Sequence, residues 1–198
     1  MIDLSNISKD LPHSRFLVEY KRALELDQVN IEAVCISSVD SQNKPHSRYV
    51  NLKFVNDNEW IFFSNYESPK SLQFENNNSI AALFFWPKTN VQIRIKAKIA
   101  RTEMSFSDEY FYNRSRQKNA LAIISRQSKT LDSYNSFVDK YNKTLERNKD
   151  LDKRPDYWGG FSFRPHYFEF WEGNKNRLNK REVYNLENGL WERDYLQP

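Results

Sequence analysis

Val91-Gln92-Ile93-Arg94-Ile95-Lys96-Ala97-Lys98-Ile99 is the most sharply patterned stretch of the chain. Val91, Ile93, Ile95, Ala97 and Ile99 alternate with Gln92, Arg94, Lys96 and Lys98. A period of two belongs to a β-strand, whose successive side chains point to opposite faces. The stretch reads as a half-buried strand with one apolar and one basic face. On its N-terminal side, Ser79–Trp86 reads as a buried strand. Further out, Ala33–Val39 and His46–Phe54 flank the turn-rich Asp40–Pro45 and read as a hairpin, and Trp60–Ser64 follows the turn Asn56–Glu59 as another short strand. On its C-terminal side, Tyr157–Arg164, Tyr167–Trp171, Glu182–Leu186 and Leu190–Tyr195 read as strands, the last two joined by the tight-turn pair Asn188-Gly189.

Helical patterns interrupt these strands. Pro12–Leu26 carries Phe16, Leu17, Tyr20, Ala23 and Leu24 at helical spacing, with Pro12 suited to a first turn. Ser68-Pro69 reads as N-cap and first helical residue of a short helix reaching about Asn76. Ser105–Asn113, Lys118–Ile124 and Asp132–Asn148 are predicted helices, followed by a charged loop, Asn148–Pro155. The sum is a mainly β protein with helices (α+β): a β-barrel with a helical annex. One domain over 1–198 is expected. It has an N-terminal helix at about 12–30, barrel strands over 31–104, the annex over 105–150 and C-terminal strands over 157–198.

The 198 residues include 30 Lys and Arg against 26 Asp and Glu, a formal charge of +4. The 39% hydrophobic and 15% aromatic content suffices for a packed core. A single cysteine, Cys35, excludes an internal disulfide and a multi-cysteine zinc site, and its place in an apolar strand predicts a buried, inert thiol. His13, His46 and His166 show no metal-binding spacing, so no metal site is expected. No apolar run approaches a membrane span, and Met1–Asp10 has no secretory hydrophobic region, so a soluble, cytoplasmic protein without membrane partners is expected. Only four glycines occur, which excludes the GxGxxG and Walker A phosphate loops. No GxSxG elbow supports covalent hydrolysis.

The basic residues are the better lead. Taken singly, each is a solvated surface charge. Arg48 and Lys53 bracket a strand, and Lys70 opens a short helix, where free N–H groups and positive charge suit a phosphate. Five residues apart, Arg48 and Lys53 face opposite sides of a regular strand, so one site would need a bulge, the strand ends, or two different groups to grip. Tyr110 and Arg114 stand at i and i+4 on one predicted helix face, a good phosphate grip, and Lys118 would prolong it if the helix continued. The Arg94/Lys96/Lys98 stripe suggests nucleic acid, but interspersed acids and an excess of only +4 argue against that partner. Gly159-Gly160, inside the aromatic Tyr157–Phe161, permits close approach of a backbone or a planar ligand.

Arg48-Tyr49-Val50-Asn51-Leu52-Lys53, Ser68-Pro69-Lys70, Glu75-Asn76-Asn77, Arg126-Gln127-Ser128, Tyr157–Phe161, Glu169–Arg181 and the terminal Trp191–Pro198 follow one another in an order that resembles the pyridoxamine 5′-phosphate oxidase family. The resemblance runs from about Pro12 to Pro198. It implies a split antiparallel β-barrel homodimer with FMN at the subunit interface. It further implies oxidation of pyridoxamine or pyridoxine 5′-phosphate at C4′ to pyridoxal 5′-phosphate, with O₂ as acceptor and H₂O₂ as product. The flavin performs the electron chemistry, and the protein orients two rings and holds their phosphates.

Carried over by residue, the resemblance makes Arg48 and Lys70 ligands of the FMN phosphate. Tyr49, Val50, Lys53, Phe63, Ser64, Gln92, Gln127, Ser128, Trp171 and Arg181 are further FMN contacts. Lys53, Tyr110, Arg114 and Lys118 bind the substrate phosphate. Arg177 lies over the substrate ring as the catalytic residue, with Asn179 nearby. Departures from the family pattern are Phe63-Ser64 for a Tyr-Thr pair, Pro69 and Val91 for arginines, Lys118 for a serine, Asn179 for a histidine and Lys180 for an acid. Asn179 hydrogen-bonds but does not titrate near neutral pH as histidine does. These departures leave open a related FMN oxidase acting on another planar anion of the phenazine-precursor type, or a non-catalytic flavin- or vitamin-binding protein.

Overall fold

The computed structural model describes residues 1–147 and 150–198. In chain order its elements are β1 (Asp3–Ile7), α1 (Leu11–Glu25), β2 (Ala33–Val39), β3 (Pro45–Asn51), β4 (Phe54–Asp57), β5 (Glu59–Asn65), α2 (Pro69–Asn76), β6 (Ser79–Trp86), β7 (Val91–Arg101), α3 (Met104–Tyr112), α4 (Arg116–Ile124), α5 (Tyr134–Arg147), β8 (Trp158–Glu172), β9 (Lys180–Glu187) and β10 (Leu190–Leu196). Asn148, where the last predicted helix ends and the charged loop begins, lies outside the described residues. Among the described residues no helix is long and apolar enough to cross a membrane.

All ten strands form one curved sheet, ordered β1-β4-β5-β8-β7-β6-β2-β3, with β9 and β10 added beside β8. The fold is the expected α+β split barrel. Every pairing is antiparallel except β1 with β4, which is parallel and makes the sheet mixed. The strand β1 escaped the sequence reading because Asp3-Leu4-Ser5-Asn6-Ile7 lacks alternation and is mostly exposed. The opening stretch, β7, behaves as its period demands: Val91, Ile93, Ile95, Ala97 and Ile99 are buried, and Arg94, Lys96 and Lys98 are exposed.

Two predicted strands, Tyr157–Arg164 and Tyr167–Trp171, are one strand, β8. Pro165-His166 reads as a break, but the sheet absorbs it with a register shift opposite Lys96 and Ala97. β8 is the spine of the molecule. One edge pairs with β7 along almost its whole length, and the other pairs first with β5 and then with β9. Inside the curl, α1 inserts Phe16 and Tyr20 against Trp60, Phe84 and Trp86. A second, smaller cluster of Phe111, Ala122 and Trp158 joins the annex helices to β8.

Other readings need correction. The N-terminal helix ends at Glu25, short of the boundary near 30, because Asp27 adopts positive φ. Cys35 is half-buried, because the face of β2 that carries it turns outward. The space over Gly159 and Gly160 takes neither a backbone nor a planar ligand. Side chains occupy it: Tyr66 and Ser107 over Gly159, and Thr102 and Phe63 over Gly160. Asn188 and Gly189 both have positive φ, as the tight turn between β9 and β10 requires.

Candidate functional site

The site begins where β3 stops. Arg48 lies within β3, and the strand ends at Asn51. Leu52 and Lys53 then form a two-residue link before β4, with Leu52 wholly buried. This strand end resolves the facing problem: once the chain has left the ladder, strand parity no longer separates Arg48 from Lys53. Both line one cavity of about 650 Å³.

The helices close the cavity differently from the predicted single face. α3 ends at Tyr112, and a new helix, α4, starts at Arg116 with Ser115 as its N-cap. Tyr110, Arg114 and Lys118 therefore lie on a helix, a link and the next helix. The break still delivers all three to the cavity. Phe63 and Ser64 enter from β5, Lys70 from α2, and Gln127 and Ser128 from the segment after α4. Tyr49 and Val50 complete the set of predicted residues found here. Five cations line the cavity (Arg48, Lys53, Lys70, Arg114 and Lys118) and no carboxylate lines it.

The cations fall into two groups. In the first, Arg48 donates to Ser38 Oγ at 2.7 Å and to Gln73 Oε1 at 2.8 Å. Lys70 Nζ donates to Ser68 Oγ and to Gln127 Oε1, both at 2.9 Å. Ser64 Oγ donates to the same Gln127 oxygen at 3.2 Å. Lys70 is buried, and burial followed by repulsion from Arg48 lowers its pKa from 10.5 to about 8. Neither cation has a carboxylate partner among the described residues, so the group is short of negative charge.

In the second group, Phe63 stacks on Tyr110 with centroids 3.7 Å apart, and Trp158 lies parallel to both rings, 5.3 Å from Phe63 and 6.4 Å from Tyr110. The Arg114 guanidinium sits 4.3 Å over the Trp158 ring. Its Nη1 is buried and has no hydrogen-bond partner among the described residues. Arg114 itself lines the cavity, and an unpaired buried guanidinium nitrogen there leaves hydrogen-bonding capacity that an anion can use. Lys53 is held below the usual lysine range by desolvation, with the charges of Lys118 and Arg114 adding to the effect against the opposing pull of Glu32. Burial lowers Arg114 and raises Tyr110.

Five predicted residues stay outside this cavity. Gln92, Trp171 and Arg181 are successive partners across β7, β8 and β9, so they share one sheet face. Arg177 and Asn179 lie in the β8–β9 loop beside that row. Arg177 is exposed with φ of 61°, and Asn179 Oδ1 accepts from Asn174 N–H at 3.0 Å. Arg181 is clamped by Glu169: its Nε donates to Oε1 at 2.9 Å, and its Nη2 makes an ion-pair contact with the same oxygen at 2.9 Å. Glu169 is itself buried and also accepts from Arg94 and Tyr167.

The sequence reading missed Trp158 as a lining residue, although it singled out the segment around it. It also missed Ser38 and Gln73, the acceptors that hold Arg48. A serine in a strand and a glutamine in a short helix carry no signal until the fold brings them together.

Comparison with known proteins completes the description. Residues 19–147 match the family model described as pyridoxamine 5′-phosphate oxidase. Residues 158–198 match that of the pyridoxine 5′-phosphate oxidase C-terminal dimerisation region. The chain is 36% identical over 187 residues to a pyridoxine/pyridoxamine 5′-phosphate oxidase of Haemophilus influenzae, covering 94% of this chain and 89% of that protein. It is 32% identical over 187 residues to the enzyme of that name from Coxiella burnetii, covering 94% and 95%. Among solved structures, PhzG from Burkholderia lata, in complex with tetrahydrophenazine-1-carboxylic acid, superposes with a TM-score of 0.89 at 24% identity, covering 94% of this chain and 92% of that one. A pyridoxamine 5′-phosphate oxidase-related, FMN binding protein from Nostoc punctiforme superposes with a TM-score of 0.79 at 13% identity, covering 96% and 99%. These two likenesses bear on the fold.

Proposed function

The chain belongs to the pyridoxamine 5′-phosphate oxidase family, and from that premise we propose that it oxidises pyridoxamine or pyridoxine 5′-phosphate to pyridoxal 5′-phosphate with FMN as cofactor. The observation that supports this most is one acid-free cavity with two separate cation groups, one of them holding a buried guanidinium nitrogen without a partner among the described residues. Two phosphorylated molecules, a cofactor and a substrate, need two anion grips side by side.

The donor set fits FMN. Arg48 and Lys70, backed by Ser64 and Gln127, would hold its phosphate. When bound, FMN supplies the two-electron oxidation of the substrate, with O₂ taking the electrons onward to give H₂O₂. The chain's own residues bind and orient. Lys53, Arg114 and Lys118 neutralise the substrate phosphate, and Tyr110 donates its hydroxyl, which burial keeps protonated. The Phe63, Tyr110 and Trp158 rings form one aromatic wall that would shield the site from water, with Arg114 packed over Trp158.

Gln92, Trp171, Arg177, Asn179 and Arg181 are proposed to complete the site from the second copy of a homodimer. Four of these five fall within the dimerisation region, and the fifth lies in the same cross-strand row. Arg177 would then lie over the substrate ring of the opposite cavity as the catalytic residue.

The test is aerobic turnover by the FMN-loaded protein. Pyridoxal phosphate and H₂O₂ should form in equal amounts from pyridoxamine phosphate. A flavin-loaded protein giving neither would remove the substrate assignment. A second reading keeps the flavin and changes the substrate to another planar anion. It is favoured by Lys118, which adds a third cation to the substrate grip, and by Asn179, which cannot titrate near neutral pH. Tight binding of pyridoxal phosphate in competition with substrate would count against it.

A further inference from the structure

The link between β3 and β4 has its three amide groups tied to three different places. Leu52 N–H donates to the Glu32 carbonyl at 2.9 Å, and Lys53 N–H donates to the Ile61 carbonyl at 2.8 Å. The Lys53 carbonyl accepts from Asp3 N–H at 2.8 Å. That last bond comes from β1, which lies parallel to β4 with Asp3 opposite Phe54. β1 is anchored independently. Ile2 is buried and its N–H donates to the Tyr20 hydroxyl at 2.9 Å, while Leu4 and Ile7 pack on the main core.

Lys53 has reason to move. Its side chain shares an acid-free cavity with Arg114 and Lys118, whose charges repel it. Lys53 and Lys118 form no ion pair among the described residues, and apart from the pull of Glu32 it is the tied backbone that opposes that repulsion. We propose that β1 is a positioning element for Lys53: docking of the N-terminal strand fixes the Lys53 carbonyl and so holds the ammonium group beside Arg114 and Lys118, where a phosphate is gripped. The proposal rests on the reading of that group as the substrate-phosphate site. It separates β1 from the grip on the cofactor phosphate, because Arg48 and Lys70 are held by Ser38, Ser68, Gln73 and Gln127 and make no bond to β1.

Binding linkage makes the coupling reciprocal. If docked β1 raises phosphate affinity, phosphate must stabilise docked β1 by the same factor. Hydrogen exchange on the full-length wild-type protein, in the presence of FMN, reads this directly with inorganic phosphate as the probe. The amides of residues 3–7 should exchange several-fold more slowly at saturating phosphate. Unchanged exchange there, with phosphate shown to bind, overturns the proposal.

Substitutions give a second readout. Asp3→Pro removes the N–H that Lys53 accepts from. Asp3→Ala keeps that N–H and loses only the carboxylate, which accepts from Ser5. Asp3→Pro should raise KM for pyridoxamine phosphate by about fivefold to tenfold, the scale of one hydrogen bond. kcat and FMN affinity should stay at wild-type values, and Asp3→Ala should track wild type throughout. An Asp3→Pro protein with unchanged KM, or one that loses FMN affinity in the same proportion, overturns the positioning role. If Asp3→Pro fails to fold, the wild-type exchange experiment decides. Wild-type protein that shows the phosphate-dependent protection but does not oxidise pyridoxamine phosphate refutes the substrate reading and leaves the positioning role standing.

Discussion

Lys70 is buried beside Arg48, and desolvation together with that neighbouring charge lowers its pKa to about 8. The empty group therefore loses its proton more easily than an ordinary lysine, and an arriving phosphate restores the preference for the charged form. Affinity for FMN should fall as pH rises above about 8, by up to tenfold per unit until the phosphate-bound lysine itself titrates. Flavin fluorescence titration of the apoprotein between pH 7 and 10 measures this. Arg48→Ala should weaken FMN by roughly 1.5–3 kcal/mol, the range for a charge-assisted bond, and equal affinity in variant and wild type contradicts its role. His13 lies fully buried among Trp60, Phe168 and Trp191, and neither ring nitrogen has a hydrogen-bond partner among the described residues. Desolvation lowers its pKa to about 4, with Asp10 and Asp57 opposing. The unfolded chain takes up this proton near 6.5, so the stability of the neutral, buried ring is complete above that pH and declines as pH falls toward 4. The loss amounts to about 3 kcal/mol at most. Urea unfolding at pH 7 and pH 5 should show a smaller drop for His13→Phe than for wild type. None of this environment is visible in the sequence, where His13 is one polar residue in a helix.

Elements were legible where a period or a cap spoke for them. The alternation in β7 and the Ser68-Pro69 start of α2 appear as read, because two-residue periodicity and a proline at a helix start are local signals. Element ends set by neighbours were not. Tyr110, Arg114 and Lys118 keep helical spacing across a break between α3 and α4, so the pattern alone put Tyr110 and Arg114 on one face and left Lys118 to depend on the helix continuing. Gly159 is a further case. Its lack of a side chain suggested room for a ligand, whereas Tyr66 and Ser107 fill the space. Gly159→Ala should therefore destabilise the protein by about 1–3 kcal/mol through overpacking, with little change in FMN affinity. Denaturant midpoints and flavin titration of the same variant separate the two effects.

At the scale of the whole molecule, the predicted site divides. Arg48, Lys53, Lys70, Tyr110, Arg114 and Lys118 meet in one cavity of a single chain. Gln92, Trp171 and Arg181 form a row on a sheet face, with Arg177 and Asn179 in the adjoining loop. A two-fold dimer that joins the sets predicts complementation. Arg48→Ala and Arg181→Ala proteins, each poor in activity, should recover function when unfolded together and refolded as a mixture. Each mixed dimer then has one doubly damaged and one intact site, so random pairing restores about a quarter of all sites. No recovery in a mixture shown by mass to contain mixed dimers would mean that both arginines act within one chain.

By itself the sequence determined the α+β barrel, the family and the basic residues proposed to grip phosphate, since these rest on local periodicity and on ordered motifs. It also carried the +4 excess without saying where that charge goes. Only the tertiary structure decided that five cations converge on one acid-free cavity, that Arg48 and Lys53 share it because β3 ends at Asn51, and that a strand from the far N-terminus holds Lys53 in place. Except for the neighbours Arg48 and Lys53, whose shared orientation depends on where the strand ladder stops, these are contacts between residues distant in the chain, and packing creates them.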